Sequence, residues 1–158
     1  MKQMLAALAC AVLAACGSAG GSASAEKLGV PAPQVELVQL VGPEELNWTP
    51  GMIEMKYALR VANPGTEPIT LRQIKLQSPE DQGPYWVPAS SYFFREAIAP
   101  GAERRIEFFA KAITDGNRYS IDAQSPVAIR TVAYFDAPKG NFRKVFTAYL
   151  TQSFQNDH

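Results

Sequence analysis

The chain has 158 residues, fifteen basic and fifteen acidic side chains, a formal net charge of zero, and two cysteines. That balance supplies no net pull toward nucleic acid or an anionic lipid surface. The length suffices for one domain with a buried core, and both cysteines fall within the first sixteen residues, so no disulfide framework is available to it.

The opening residues follow the secretory pattern: Lys2, an apolar core from Met4 to Val12, then small residues. Such a core is too short for a hydrocarbon span, which takes about 20 apolar residues. It ends in Leu13-Ala14-Ala15-Cys16, which resembles the bacterial lipobox. The resemblance implies a diacylglyceryl group on the Cys16 sulfur, cleavage before Cys16, and acylation of the new amino group. Residues 1–15 are then the signal peptide. Cys10 fits less well, because Ala7 stands where the branched residue belongs. An ordinary signal cut near "SASA", residues 22–25, is the alternative. Two or more acyl chains anchor a protein stably, at about 0.8 kcal/mol per buried methylene. Gly17 in place of an aspartate implies, in bacteria with two membranes, an outer-membrane anchor facing the periplasm. Cleavage removes Lys2, and acylation of Cys16 leaves no thiol for a disulfide.

From Cys16 to Pro33 the chain is mostly Gly, Ser, Ala and Pro, with one charge pair at Glu26 and Lys27. This composition predicts a lipidated flexible tether over 16–33, with ends about 20–25 Å apart. The remainder, 34–158, is expected to be one domain.

"QVELVQLV" near residue 34 opens the strand pattern, and "PEEL" at 43–46 suits a short helix. In "MIEMKYALRVA", Ile53, Met55, Tyr57, Leu59 and Val61 alternate with Glu54, Lys56, Ala58, Arg60 and Ala62. Period two over that length describes a strand with one buried face. "NPGTEP" follows as a turn. In "ITLRQIKLQ", Ile69 and Leu71 share a phase that Ile74 and Leu76 reverse, so a bulge is expected near Arg72 or Gln73. "APG" at 99–101 turns the chain into "AERRIEFFAKA". "PVAIRTVAYF", the hairpin loop "DAPKGN" and "FRKVFTAYLTQSF" complete the set. Strands at this spacing predict an all-β, immunoglobulin-like or fibronectin III-like antiparallel sandwich of about seven strands.

The run "NPGTEPITLRQIKLQ" and then "IAPGAERRIEFFA", behind the long strand, resembles the water-stress and hypersensitive-response domain of late-embryogenesis-abundant proteins. The likeness covers about Met52 to Ala112, with Gly65 where that family has an asparagine or aromatic. It implies a sandwich fold and, as a function, desiccation protection. The whole also resembles small bacterial envelope lipoproteins.

Residues suited to catalysis are few. The single histidine is His158, the last residue, and Cys16 is expected to be acylated, which excludes Cys–His catalysis and zinc. Ser24 and Lys27 match S-x-x-K, but on a tether they lack the rigid setting a nucleophile needs. Asn47-Trp48-Thr49 matches a glycosylation sequon, an accident beside a lipobox. Glu44, Glu45, Glu80 and Asp81 read as solvated acids, and Arg104, Arg105, Arg130, Arg143 and Lys144 as a solvated basic face. No catalytic residue, metal or cofactor is expected. The candidate binding surface is Tyr85, Trp86, Tyr92, Phe93 and Phe94, either anchors for a partner or a plug between sheets. At least one of Phe93 and Phe94 must leave the core, because successive strand residues face opposite ways.

These readings lead to a non-catalytic, membrane-tethered envelope protein that binds another envelope component, with no nucleic-acid partner. The alternatives are a small-ligand or glycan module built on the 85–94 aromatics, and a stress-protective domain.

Overall fold

The structure is a computed structural model that describes residues 23–40, 50–79, 83–115 and 125–150. It is all-β, with eight strands: β1 Ala23–Ser24, β2 Gln34–Gln39, β3 Gly51–Ala62, β4 Ile69–Gln77, β5 Ser90–Ile98, β6 Glu103–Thr114, β7 Val127–Ala137 and β8 Gly140–Leu150. They form a five-stranded sheet, β1-β8-β7-β4-β5, and a three-stranded sheet, β2-β3-β6. All pairings are antiparallel except β1 with β8.

Alternation in sequence becomes inside and outside in space. Met55, Tyr57, Leu59 and Val61 of β3 are fully buried and face Leu71, Ile74, Ile129 and Phe135 from the other sheet's strands. Phe108 of β6 sits among the rings of Tyr57, Tyr92 and Phe94, with centroids 5.9, 5.2 and 5.9 Å away. Ring contacts of this kind add to the area they bury. Phe135 and Phe142 stack at 5.3 Å across the β7–β8 hairpin.

The expected register repair in β4 is present. Pairing shifts between Leu71 and Gln73 against both neighbours, which puts Leu71 and Ile74 on one face despite their odd spacing. The "APG" turn closes through Ala102 N–H donating to Ala99 O at 3.1 Å, with Gly101 at φ 68°. Proline then glycine at the centre is what a type II turn requires.

Asn63 locks the "NPGTEP" turn to that one. Its buried amide nitrogen donates to Glu67 O at 2.9 Å and Ile98 O at 3.2 Å, while its Oδ1 accepts from Gly65 N–H at 3.0 Å. Burial of an amide is tolerated because each group is partnered.

Two expectations need correction. The described residues form eight strands, and the extra one comes from the predicted tether. Ala23 and Ser24 pair with Phe142 and Arg143, Glu26–Leu28 forms a 3-10 turn, and Ala25 and Val30 are buried. More than half of the predicted tether, from Ala23 onward, thus belongs to the domain, because Leu28 and Val30 are apolar enough to dock although their neighbours are small. The short helix expected at 43–46 lies outside the described residues, as do Cys16, the sequon, the paired acids and His158.

Candidate functional site

The 85–94 aromatics do not form one surface. The chain passes from the end of one sheet to the edge of the other, and alternation distributes the rings over several environments.

Tyr85 is fully buried. Its hydroxyl accepts from Tyr57 Oη at 3.1 Å and donates to Gln39 Oε1 at 2.5 Å. Burial pushes both phenols well above their ordinary range, Tyr57 further by the nearby Tyr85. As a surface anchor Tyr85 is therefore ruled out: its hydroxyl is satisfied inside, so nothing draws the ring outward. Tyr92 and Phe94 are half-buried against Phe108 and close one side of the sandwich. Phe93, between them, is 76% exposed on the outer face of the five-stranded sheet.

Trp86 is half-buried and pairs with β6: its N–H donates to Ile113 O at 3.0 Å, and Ile113 N–H returns the bond at 2.9 Å. One residue on, Val87 N–H donates to Ser78 Oγ and Ser78 N–H to Val87 O, both at 2.9 Å. Trp86-Val87 is thus a strap between the sheets. Because Trp86 lies opposite Ile113, and Ile113 opposite Met52, the three side chains form one row on the outer face of the three-stranded sheet. Met52 is 63% exposed, and Phe109 on the same face of β6 is 58% exposed.

Three cations on that face meet carboxylates, two across strands and one along β6. Lys56 meets Glu107 at 2.8 Å, Arg105 meets Glu107 at 3.3 Å, and Arg60 meets Glu36 at 3.6 Å. The hydrogen bond from Lys56 holds the Glu107 carboxyl below its usual range. The face offers an apolar row flanked by a neutralised ladder. Its chemistry is contact, with no nucleophile or base beside it.

Two open depressions lie on the five-stranded sheet. One, about 510 Å³, is on its outer face and is lined by Lys75, Arg130, Arg143 and Tyr134 around Val132. The other, about 700 Å³, lies at the β1–β8 edge and is lined by Ser24, Lys27, Arg143 and Lys144 among others. Sequence reasoning set Arg130, Arg143 and Lys144 aside as a solvated face and did not single out Lys75. Only the order β8-β7-β4 brings Lys75 beside Arg130, and residues so far apart carry no joint signal in the sequence. No group of three or more His, Cys, Asp or Glu residues able to hold a metal occurs among the described residues, and none of the described helices is long and apolar enough to cross a membrane.

No family model and no curated protein matches the chain. Solved structures do. It is similar to a protein from Archaeoglobus fulgidus, at 11% identity and TM-score 0.47, over 76% of this chain and 96% of that one. A Bordetella pertussis protein described as ApaA is similar at 14% identity and TM-score 0.48, over 77% and 95% of the two chains. An Arabidopsis thaliana protein is similar at 9% identity and TM-score 0.42, over 79% and 82%.

Proposed function

We propose that this chain is a non-catalytic binding module of the bacterial cell envelope, held to the outer membrane by acyl chains on Cys16, facing the periplasm, and docking a protein component there. The observation that carries the docking part is the apolar row Met52, Ile113 and Trp86 on a face where Lys56, Arg60 and Arg105 already meet carboxylates. Exposed apolar side chains grouped beside an aromatic are a recurring mark of protein interfaces. Tethering raises the local concentration of such a row near membrane-bound partners without adding a contact.

The strand order supports reading the sandwich as fibronectin III-like. Without β1, the sheets are β2-β3-β6 and β8-β7-β4-β5, a three-plus-four division in which β5 sits beside β4. In an immunoglobulin constant domain the corresponding fourth strand joins the other sheet.

The test is site-specific photocrosslinking in intact cells, with the probe at Met52 and, as a control, at Thr147 on the opposite face. One dominant envelope protein crosslinked from position 52 and not from position 147 supports the reading. Equal, diffuse crosslinking from both positions overturns it.

A further inference from the structure

The chain is neutral overall, yet its two outer faces differ in charge. On the three-stranded sheet, Lys56 and Arg60 pair with carboxylates on neighbouring strands and Arg105 with Glu107 on its own strand. On the five-stranded sheet, Lys75, Arg95, Arg130 and Arg143 fall on the outward phase. The one carboxylate on that phase in the described strands is Asp136, which Arg72 engages at 3.2 Å.

Three of these cations ring one depression. Lys75, Arg130 and Arg143 come from β4, β7 and β8 and surround Val132, which is only 8% exposed although it points outward. Their aliphatic stems cover the valine while the charged heads stay in water. Gln77, Ser91 and Tyr134 add hydrogen-bonding groups to the same lining. The depression at the β1–β8 edge shares Arg143 and Val145 with it and adds Lys27 and Lys144, with Glu26 as its sole acid. The two therefore form a cationic track that runs from the outer face to the sheet edge.

We infer that this track binds an anionic glycan, a sugar chain bearing carboxylates or phosphates. Several like charges held close with a single carboxylate among them, Glu26, are complementary to a run of anions. A track that turns from face to edge suits a flexible chain better than a flat bilayer surface. Tyr134 and Phe142 are the aromatics in the lining; Phe142 is fully buried against Phe135, and Lys75 Nζ sits 5.5 Å from the Tyr134 ring centroid. Bases of a single-stranded nucleic acid would lack the successive stacking platforms they use. The recognising groups are side chains, and β1 already takes the β8 edge at Phe142 and Arg143, so the track offers charged side chains rather than the added backbone pairing that favours a peptide strand. This inference stands apart from the Cys16 anchor and from the Trp86 row.

The experiment is calorimetric titration of the full chain with oligogalacturonate, a uronic-acid chain, beside neutral dextran, poly-glutamate and single-stranded DNA. Oligogalacturonate is expected to bind, with affinity falling as salt rises, since screening shortens the reach of these charges to about 8 Å at physiological ionic strength. Neutralising the ring with Lys75→Gln, Arg130→Gln and Arg143→Gln together should weaken binding by about tenfold or more, as loss of several charge-assisted contacts does. Neutralising Arg60, Arg105 and Lys111 on the other face should change it less than about twofold. The charge-keeping pair Lys75→Arg and Arg130→Lys should retain binding. Equal losses from the two triple variants, tighter binding of DNA or poly-glutamate through the same ring, or no glycan binding at low salt would each overturn the inference.

Discussion

The Tyr57 hydroxyl donates to the Tyr85 hydroxyl at 3.1 Å in a fully buried pair, joining β3 to the strap that crosses between the sheets. Tyr85 passes the bond on to Gln39 of β2. Replacing Tyr85 by Phe strands a donor and an acceptor, the Tyr57 hydroxyl losing its acceptor and Gln39 Oε1 its donor, whereas Tyr57→Phe leaves the bond to Gln39 intact. Tyr85→Phe is expected to cost about 1–3 kcal/mol and Tyr57→Phe about 1 kcal/mol, measured by denaturant unfolding. Equal costs would mean the two hydroxyls do not act in sequence.

The same pair sets an alkaline limit. Burial raises both phenols above their ordinary value. Below about pH 10 the phenols are protonated in the folded and the unfolded chain alike, and their contribution is fully present. Above it, the unfolded phenols ionise while the buried ones hold their protons. The unfolded state then binds fewer protons, so stability falls as pH rises. Melting temperatures followed upward from about pH 8 should drop steeply beyond about pH 10, and the Tyr57→Phe, Tyr85→Phe double variant should drop less steeply. A double variant with the parental slope would contradict this.

How far this was readable from the sequence differs by element. The β3 strand, the β4 bulge and the "APG" and "DAPKGN" turns were legible, because each rests on a local signal of periodicity or turn chemistry. Strand β1 was not, because two residues paired parallel to a distant strand leave no period to detect. The sequence leaves Tyr85 and Trp86 open between a partner surface and a plug between the sheets, because as neighbours they share one local signal. Only the bridge from Trp86 to Ile113 and the hydroxyl chain from Tyr57 decide which faces out. The cationic track was invisible for a similar reason: it depends on which strands lie side by side.

That division of roles separates two alanine variants. Trp86→Ala removes a half-buried ring and keeps the backbone bonds to Ile113, so it should cost about 1 kcal/mol. Tyr85→Ala empties a core position and should cost about 3–5 kcal/mol. Crosslinking to the envelope partner should vanish with Trp86→Ala alone at temperatures where both variants are folded. Comparable instability in both would place Trp86 in the core and remove it from the docking row.

Thr131 offers a gain. Its hydroxyl is buried on the inner face of β7 and has no hydrogen-bond partner among the described residues. Valine keeps the shape without the unpaired oxygen, so Thr131→Val should stabilise the domain by about 1 kcal/mol in urea unfolding. A loss of stability would mean that the hydroxyl is bonded in solution, through water or a residue outside those described.

The most direct test of the account as a whole is membrane fractionation and intact-mass analysis of the full chain beside Cys16→Ser, both made in a bacterium with a lipoprotein pathway. The account predicts a parent chain cut before Cys16, carrying the mass of its acyl groups and sedimenting with the outer membrane, and a variant that stays uncleaved or is released. A Cys16→Ser protein that is cut at the same place and remains with the outer membrane would contradict it.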